Sequence, residues 1–177
     1  MNSTFNVIED VKRYLNKKKE IDTIVIASTS GKTALEFMEV FDPKQYNIVV
    51  VTHCYGYEKA GENQMHPEMR QMLLDLGAKI FTGPHSLSVG ERSIRNTFGG
   101  IYPLELISET LCMFSKGVKV CVEFSSMALD AGLIQYGCPI ISVAGEVVGA
   151  DTALCITPQY SHNILKTRVH ELICKPF

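Results

Sequence analysis

The sequence predicts an α/β fold: a three-layer αβα domain on a mainly parallel sheet. Three observations predict it. Short β-branched, apolar runs alternate with segments of helical periodicity along the chain. The runs are apolar at consecutive positions, as strands covered on both faces must be. Polar and glycine-bearing segments follow the runs, which gathers them at the carboxyl edge of such a sheet, where open α/β sheets bind ligands.

Val7, Ile8, Val11, Tyr14 and Leu15 make one stripe over residues 3–16, a first helix with Lys17, Lys18 and Lys19 at its end. Residues 24–27 read as a buried strand. After a polar turn at 28–33, Ala34, Phe37, Met38 and Phe41 recur at helical spacing, and Asp42-Pro43 closes that region. Residues 47–52 (NIVVVT) form a second strand and 53–64 a loop with Gly56 and Gly61. Pro67 opens the next helix, with Met65, Met69, Met72, Leu73 and Leu76 inward and Gly77 as its stop. Residues 78–82 are a third strand, and 83–100 are irregular with a short helix at 89–96. Pro103 opens a helix with Leu104, Ile107, Leu111 and Phe114 inward, stopped at Gly117. Residues 118–124 (VKVCVEF) read as a fourth strand, followed by a helix from Ser125 or Ser126 to Tyr136. Residues 139–144 and Thr152–Thr157 supply two more strands, and Arg168–Cys174 reads as helix or strand, with β-branched Val169 and Ile173 favouring a final strand. No linker, repeat or low-complexity stretch interrupts the pattern, so one domain over residues 1–177 is expected.

Composition narrows the function classes. A net charge of −2 does not suit a nucleic-acid surface. No apolar run approaches the roughly 20 residues that span a bilayer, and the polar N-terminus lacks a signal-peptide core, so the cytoplasm is expected. Cys54, Cys112, Cys121, Cys138, Cys155 and Cys174 form no C-x-x-C pair and fall mostly in apolar runs, which suits reduced thiols without metal. Tryptophan is absent, so a ring that stacks on a ligand must be Tyr, Phe or His.

The turn Ser28-Thr29-Ser30-Gly31-Lys32-Thr33 is the candidate binding element. A loop from a strand into a helix aims free backbone N–H groups at one point, and the helix dipole favours an anion there. Ser28, Thr29, Ser30 and Thr33 add hydroxyls, Lys32 adds charge, and Gly31 permits close approach of the backbone. A plain helix cap at Ser30 is the simpler reading, but it needs fewer of these groups. Gly31-Lys32-Thr33 could end a Walker loop, yet that pattern needs glycine where Ile26 stands. The dinucleotide pattern G-x-G-x-x-G is absent. Ser/Thr-x-Ser/Thr-Gly-x-Thr resembles the flavodoxin loop that wraps the phosphate of flavin mononucleotide (FMN).

Longer stretches carry a second resemblance. They are IVIASTSGKTA (24–34), VTHCYGYEKAGE (51–62), GAKIFTGPHSLSVGERSI (77–94), FGGIYPLELISETLCMFSKGVKVCVE (98–123), ALDAGLI (128–134), GADTAL (149–154) and ELICKPF (171–177). Together they resemble, nearly end to end, the small stand-alone proteins similar to the pyruvate kinase C-terminal domain. Gly145-Glu146-Val147-Val148-Gly149 departs from the more Gly/Thr-rich family pattern. The resemblance implies the pyruvate kinase C-terminal domain-like fold. It implies a loop like the one that holds a phosphate of a sugar bisphosphate effector there, an association with FMN, and a homo-oligomer, a dimer. It covers no barrel domain, so pyruvate kinase phosphotransfer does not come with it.

The expected cofactor site is therefore Ser28, Thr29, Ser30, Gly31, Lys32, Thr33, Thr52, His53, Tyr55, Gly56, His85, Ser125 and Gly145. His53 is either a general base or a hydrogen-bonding histidine. Tyr55 and Tyr57 either stack on a flavin ring or pack within their loop. Glu91 and Arg92 either close on a substrate or form an internal ion pair. Glu123, at the end of an apolar run, needs a partner: a ligand hydroxyl or a helix end. Asp130 and Asp151 are equally open. Two function classes remain. One is an FMN-binding protein acting as a flavin-dependent oxidoreductase. The other is a non-catalytic regulatory module for a phosphorylated metabolite.

Overall fold

Consecutive residues of a strand point to opposite faces, so unbroken apolar runs demand cover on both sides. The computed structural model, which describes residues 3–146 and 148–176, supplies it. Strands β1 (Thr23–Ala27), β2 (Asn47–His53), β3 (Lys79–Gly83), β4 (Ile140–Ala144), β5 (Thr152–Thr157) and β6 (Arg168–Cys174) form one sheet, ordered β3-β2-β1-β4-β5-β6. Helices α1 (Ser3–Lys17), α2 (Lys32–Met38) and α3 (Pro67–Asp75) cover one face, burying Val11, Phe37 and Leu73 against Ile24, Ile26, Ile48 and Val50. On the other face, α6 (Lys116–Asp130) packs on Val25, Val49 and Val51, with α5 (Pro103–Cys112) against it. Helix α4 (Val89–Phe98) lies between β3 and α5 in the chain and buries no residue. The expected three-layer architecture is thus present.

The sheet is parallel from β3 through β4; β5 pairs antiparallel with both β4 and β6, so β5 alone among these six strands runs the other way. Parallel neighbours need a long crossover. Between β4 and β5 stands only the segment 145–151, and between β5 and β6 a turn containing the 3-10 helix Ser161–Lys166.

One expected strand does not exist. Residues 118–124 belong to α6, which also absorbs the helix expected from Ser125 or Ser126 and ends at Asp130 rather than Tyr136. Ser115 caps α6, its Oγ accepting from Val118 N–H at 3.1 Å. Every residue from Cys121 to Leu129 is buried, between the sheet and α5. A helix apolar all round shows no stripe. Val118, Val120 and Val122 cost only a few tenths of a kcal/mol each in helix propensity, less than their burial contributes. Gly117 is no stop. It lies in the first turn of α6, where a Cβ would run into Thr152. Smaller corrections concern faces: Met72, Leu76 and Phe114 are exposed, because α3 buries only Leu73 and α5 stops at Cys112.

The six cysteines are free thiols. Cys121 Sγ donates to the Ser142 carbonyl (3.3 Å) and Ser142 Oγ to the Cys121 carbonyl (3.0 Å), which clasps α6 to β4. Among the described residues, no helix is long and apolar enough to cross a membrane.

Candidate functional site

The strand order reverses beside β1. The chain steps outward from β1 to β2 and β3, then returns to place β4 on the other side of β1. Loops at the carboxyl ends of these strands diverge at such a point and leave a crevice. A cleft of about 700 Å³ opens there, lined from β1 and α2 by Ser28, Thr29, Ser30, Lys32 and Thr33.

The loop of residues 28–31 is fixed from three sides. Ser28 N–H donates to the Val51 carbonyl (3.0 Å), continuing the ladder between β1 and β2. Ser28 Oγ accepts from Ala34 N–H (3.4 Å), and Thr52 Oγ1 donates to the Thr29 carbonyl (3.2 Å). Gly31 ends the loop at φ 90°, in the left-handed region that glycine tolerates, and serves as the N-cap of α2. Ser30 is therefore not the cap. Among the described residues, no protein group accepts from the N–H groups of Thr29, Ser30, Gly31, Lys32 or Thr33. Gly31 differs from expectation in one respect. A Cβ there would strike Met69 and lie 3.2 Å from Leu73, both on α3 and away from the cleft. Its smallness serves the packing of the loop on α3.

The second wall comes from the ends of β2 and β3 and from α6. His53, the last residue of β2, pairs its Nδ1 with Gln64 Oε1 (2.7 Å). Burial first, and then the neighbouring His85, lower its pKa, against the Gln64 hydrogen bond, which raises it. Tyr57 lies over His53 (ring centroids 4.0 Å) and stacks on His85 (5.5 Å, 21°), while Phe124 meets His85 edge-on at 5.1 Å. Behind His85 lies Glu123, which is fully buried. Its Oε1 accepts from Leu87 N–H (2.8 Å), and its Oε2 accepts from Lys119 Nζ (2.9 Å) and faces His85 Nδ1 (3.3 Å).

The third wall is the segment after β4. At Gly145 a Cβ would collide with the Gly149 carbonyl, so the segment doubles back on itself there. Asp151 holds it, accepting from Glu146 N–H (3.0 Å) and Thr152 Oγ1 (2.7 Å). Lys116 on α6 reaches Glu146 at 2.5 Å. Lys32, Lys116 and Lys119 line the cleft, but so do Glu36, Glu58, Glu109 and Glu146. The net charge of the wall does not select an anion; only directed donors can.

Over residues 8–156 the sequence matches the family described as pyruvate kinase, alpha/beta domain. The chain belongs to that family. The match runs from within α1 almost to the end of β5, so it spans all three walls of the cleft.

In this member of the pyruvate kinase alpha/beta domain family, the cleft brings together Ser28, Thr29, Ser30, Lys32, Thr33, His53, His85 and Gly145 from the expected set, with Tyr57 as the nearby tyrosine. Others stand elsewhere. Thr52 is buried behind the loop and acts only through its bond to Thr29. Tyr55 is 66% exposed, and neither it nor Gly56 lines the cleft. Ser125 is buried inside α6 and donates to the Val122 carbonyl, because the strand that would have brought it to the edge is a helix. Glu91 accepts from Leu104 N–H (2.8 Å) at the start of α5, and among the described residues no ion pair joins it to Arg92. Asp130 accepts from Ser161 N–H (3.1 Å), far from the cleft. Lys116, Lys119 and Phe124 were not among the expected residues. Their signal is the spacing Lys116, Lys119, Val120, Glu123, Phe124, which puts all five on one helical face once the segment is read as helix.

Proposed function

We propose that this cleft binds a phosphorylated small molecule and that the ligand is FMN, used in flavin-dependent redox chemistry. One observation carries the reading: among the described residues, five consecutive backbone N–H groups, from Thr29 to Thr33, lack protein acceptors at the switch point of the sheet. Unpaired N–H groups leading into a helix are donors that an anion in the cleft can take up. The hydroxyls of Ser30 and Thr33 and the exposed ammonium of Lys32 stand beside them. At the other end, Tyr57, His53 and His85 offer flat surfaces to a ring. A cleft of about 700 Å³ falls within the range of roughly 300–1,000 Å³ that holds ligands of this size.

Titration by flavin fluorescence tests the reading. Riboflavin lacks the phosphate, and hydrogen bonds to a charged group contribute roughly 1.5–3 kcal/mol each. Two such bonds predict that FMN binds about a hundredfold or more tightly than riboflavin. Equal affinities for the two flavins would refute phosphate recognition by this loop.

A further inference from the structure

One arrangement in the cleft is not explained by phosphate recognition. His85 is 6% exposed, lines the cleft, and has no hydrogen-bond partner for Nε2 among the described residues. Ser86 Oγ and Ser88 Oγ, on the same turn, are also unpartnered. Orphaned buried polar atoms are costly and rare, and three on one turn need a cause. On the far side of the ring stands the buried carboxylate of Glu123, held by Leu87 N–H and Lys119. Burying a carboxylate is expensive, and binding a phosphate at the opposite end of the cleft does not require one here.

The pair has a defined chemistry. A carboxylate 3.3 Å from Nδ1 keeps a proton on that nitrogen whether the ring is neutral or charged. Nε2 is then the nitrogen that exchanges its proton. The ionisable groups around the ring are Glu123 and Lys119 from α6, His53 from β2 and Tyr57 from the loop after it. Tyr57, stacked on the ring and 44% exposed, covers one face of it at the cleft.

We propose that His85 and Glu123 form the proton-exchanging element of the cleft. His85 Nε2 accepts a hydrogen bond, and in turn a proton, from an O–H or N–H group of the bound molecule; Glu123 is the positioning residue that fixes the ring. This rests on the reading of the cleft as an FMN site, and the group concerned is then the imide N–H of the flavin ring. Nε2 would accept the hydrogen bond of that N–H while Glu123 fixes the ring; a more acidic O–H or N–H donor would pass its proton to Nε2 with no other bond made or broken, leaving an imidazolium beside the Glu123 carboxylate.

Two measurements test this. The first compares FMN affinity across pH in the parent and in His85→Phe, which keeps a flat ring but has no acceptor. Ionisation of the phosphate affects both proteins and cancels in their ratio. The variant is expected to bind about fivefold more weakly at the alkaline end, the loss of one good hydrogen bond, and to converge on the parent as pH falls. A ratio constant across pH overturns the proposal. The second needs no ligand: 15N NMR of the His85 ring in the free protein. The expected result is a proton on Nδ1, a lone pair on Nε2, and Nε2 as the nitrogen that gains a proton on acidification, with this preference lost in Glu123→Gln. A neutral ring protonated on Nε2 overturns the pair and leaves the FMN reading standing. Failure of the parent to bind FMN overturns that reading and the imide as donor, and the ring tautomer then decides the pair alone.

Discussion

Replacing Glu123 by alanine is expected to destabilise the fold by about 3–5 kcal/mol, the range for removing one member of a buried ion pair. The loss strands three groups at once. Lys119, only 15% exposed, keeps a charge without a counter-ion, Leu87 N–H loses its acceptor, and His85 loses the carboxylate at Nδ1. The same carboxylate predicts a pH dependence. Burial alone would push it up, but the His85 ring and the Lys119 ammonium outweigh burial and hold it at about 2, below its ordinary value of 4.5. The folded value is the depressed one. The stability it contributes is therefore present above about 4.5 and is lost as pH falls towards about 2. Urea midpoints measured over that window should fall in the parent and change much less in Glu123→Ala. A variant as stable as the parent at neutral pH would show that Lys119 and Leu87 find other partners.

The second large effect is expected at Gly31. Gly31→Val places a β-branched residue at φ 90° and drives its Cβ into Met69. Left-handed backbone costs an L residue roughly 1–2 kcal/mol and overpacking about 1–3 kcal/mol more, so a loss of about 3 kcal/mol is expected. Trimming the obstacle separates the two causes. Gly31→Val with Met69→Ala should lose less than the sum of the two single changes, because they share one contact. Strict additivity would mean that the backbone conformation alone is responsible. The effect is on the seat of the loop against α3; it is not evidence about ligand approach.

How much of this was legible in the sequence depended on whether period and burial agreed. Strands β1 and β2 stand out because β-branched runs of five to seven residues end in polar turns. Helix α1 stands out because Val7, Val11 and Leu15 repeat beneath a polar face. Helix α6 did not, since a central helix buried all round loses its stripe, and its valines imitate a strand. That single misreading propagated to the site. It put Ser125 at the sheet edge, and hid Lys116, Lys119 and Phe124 on a helical face of the cleft. It also left Glu123 without the partners that only tertiary packing supplies, since His85 is far from it in sequence. Conversely, the loop between β1 and α2 was readable as a candidate site because its ingredients are contiguous: a strand end, four hydroxyls, a glycine and a lysine within six residues. The role of Gly31 was not, because Met69 arrives from another helix.

The central claim is that the free N–H groups between β1 and α2 hold a phosphate. Amide chemical shifts followed by 1H–15N NMR during an FMN titration test it most directly. The expected result is that the amides of Thr29, Ser30, Gly31, Lys32 and Thr33 move first and furthest, with riboflavin leaving them in place. Amides of this loop that stay fixed while FMN saturates the protein would contradict the claim.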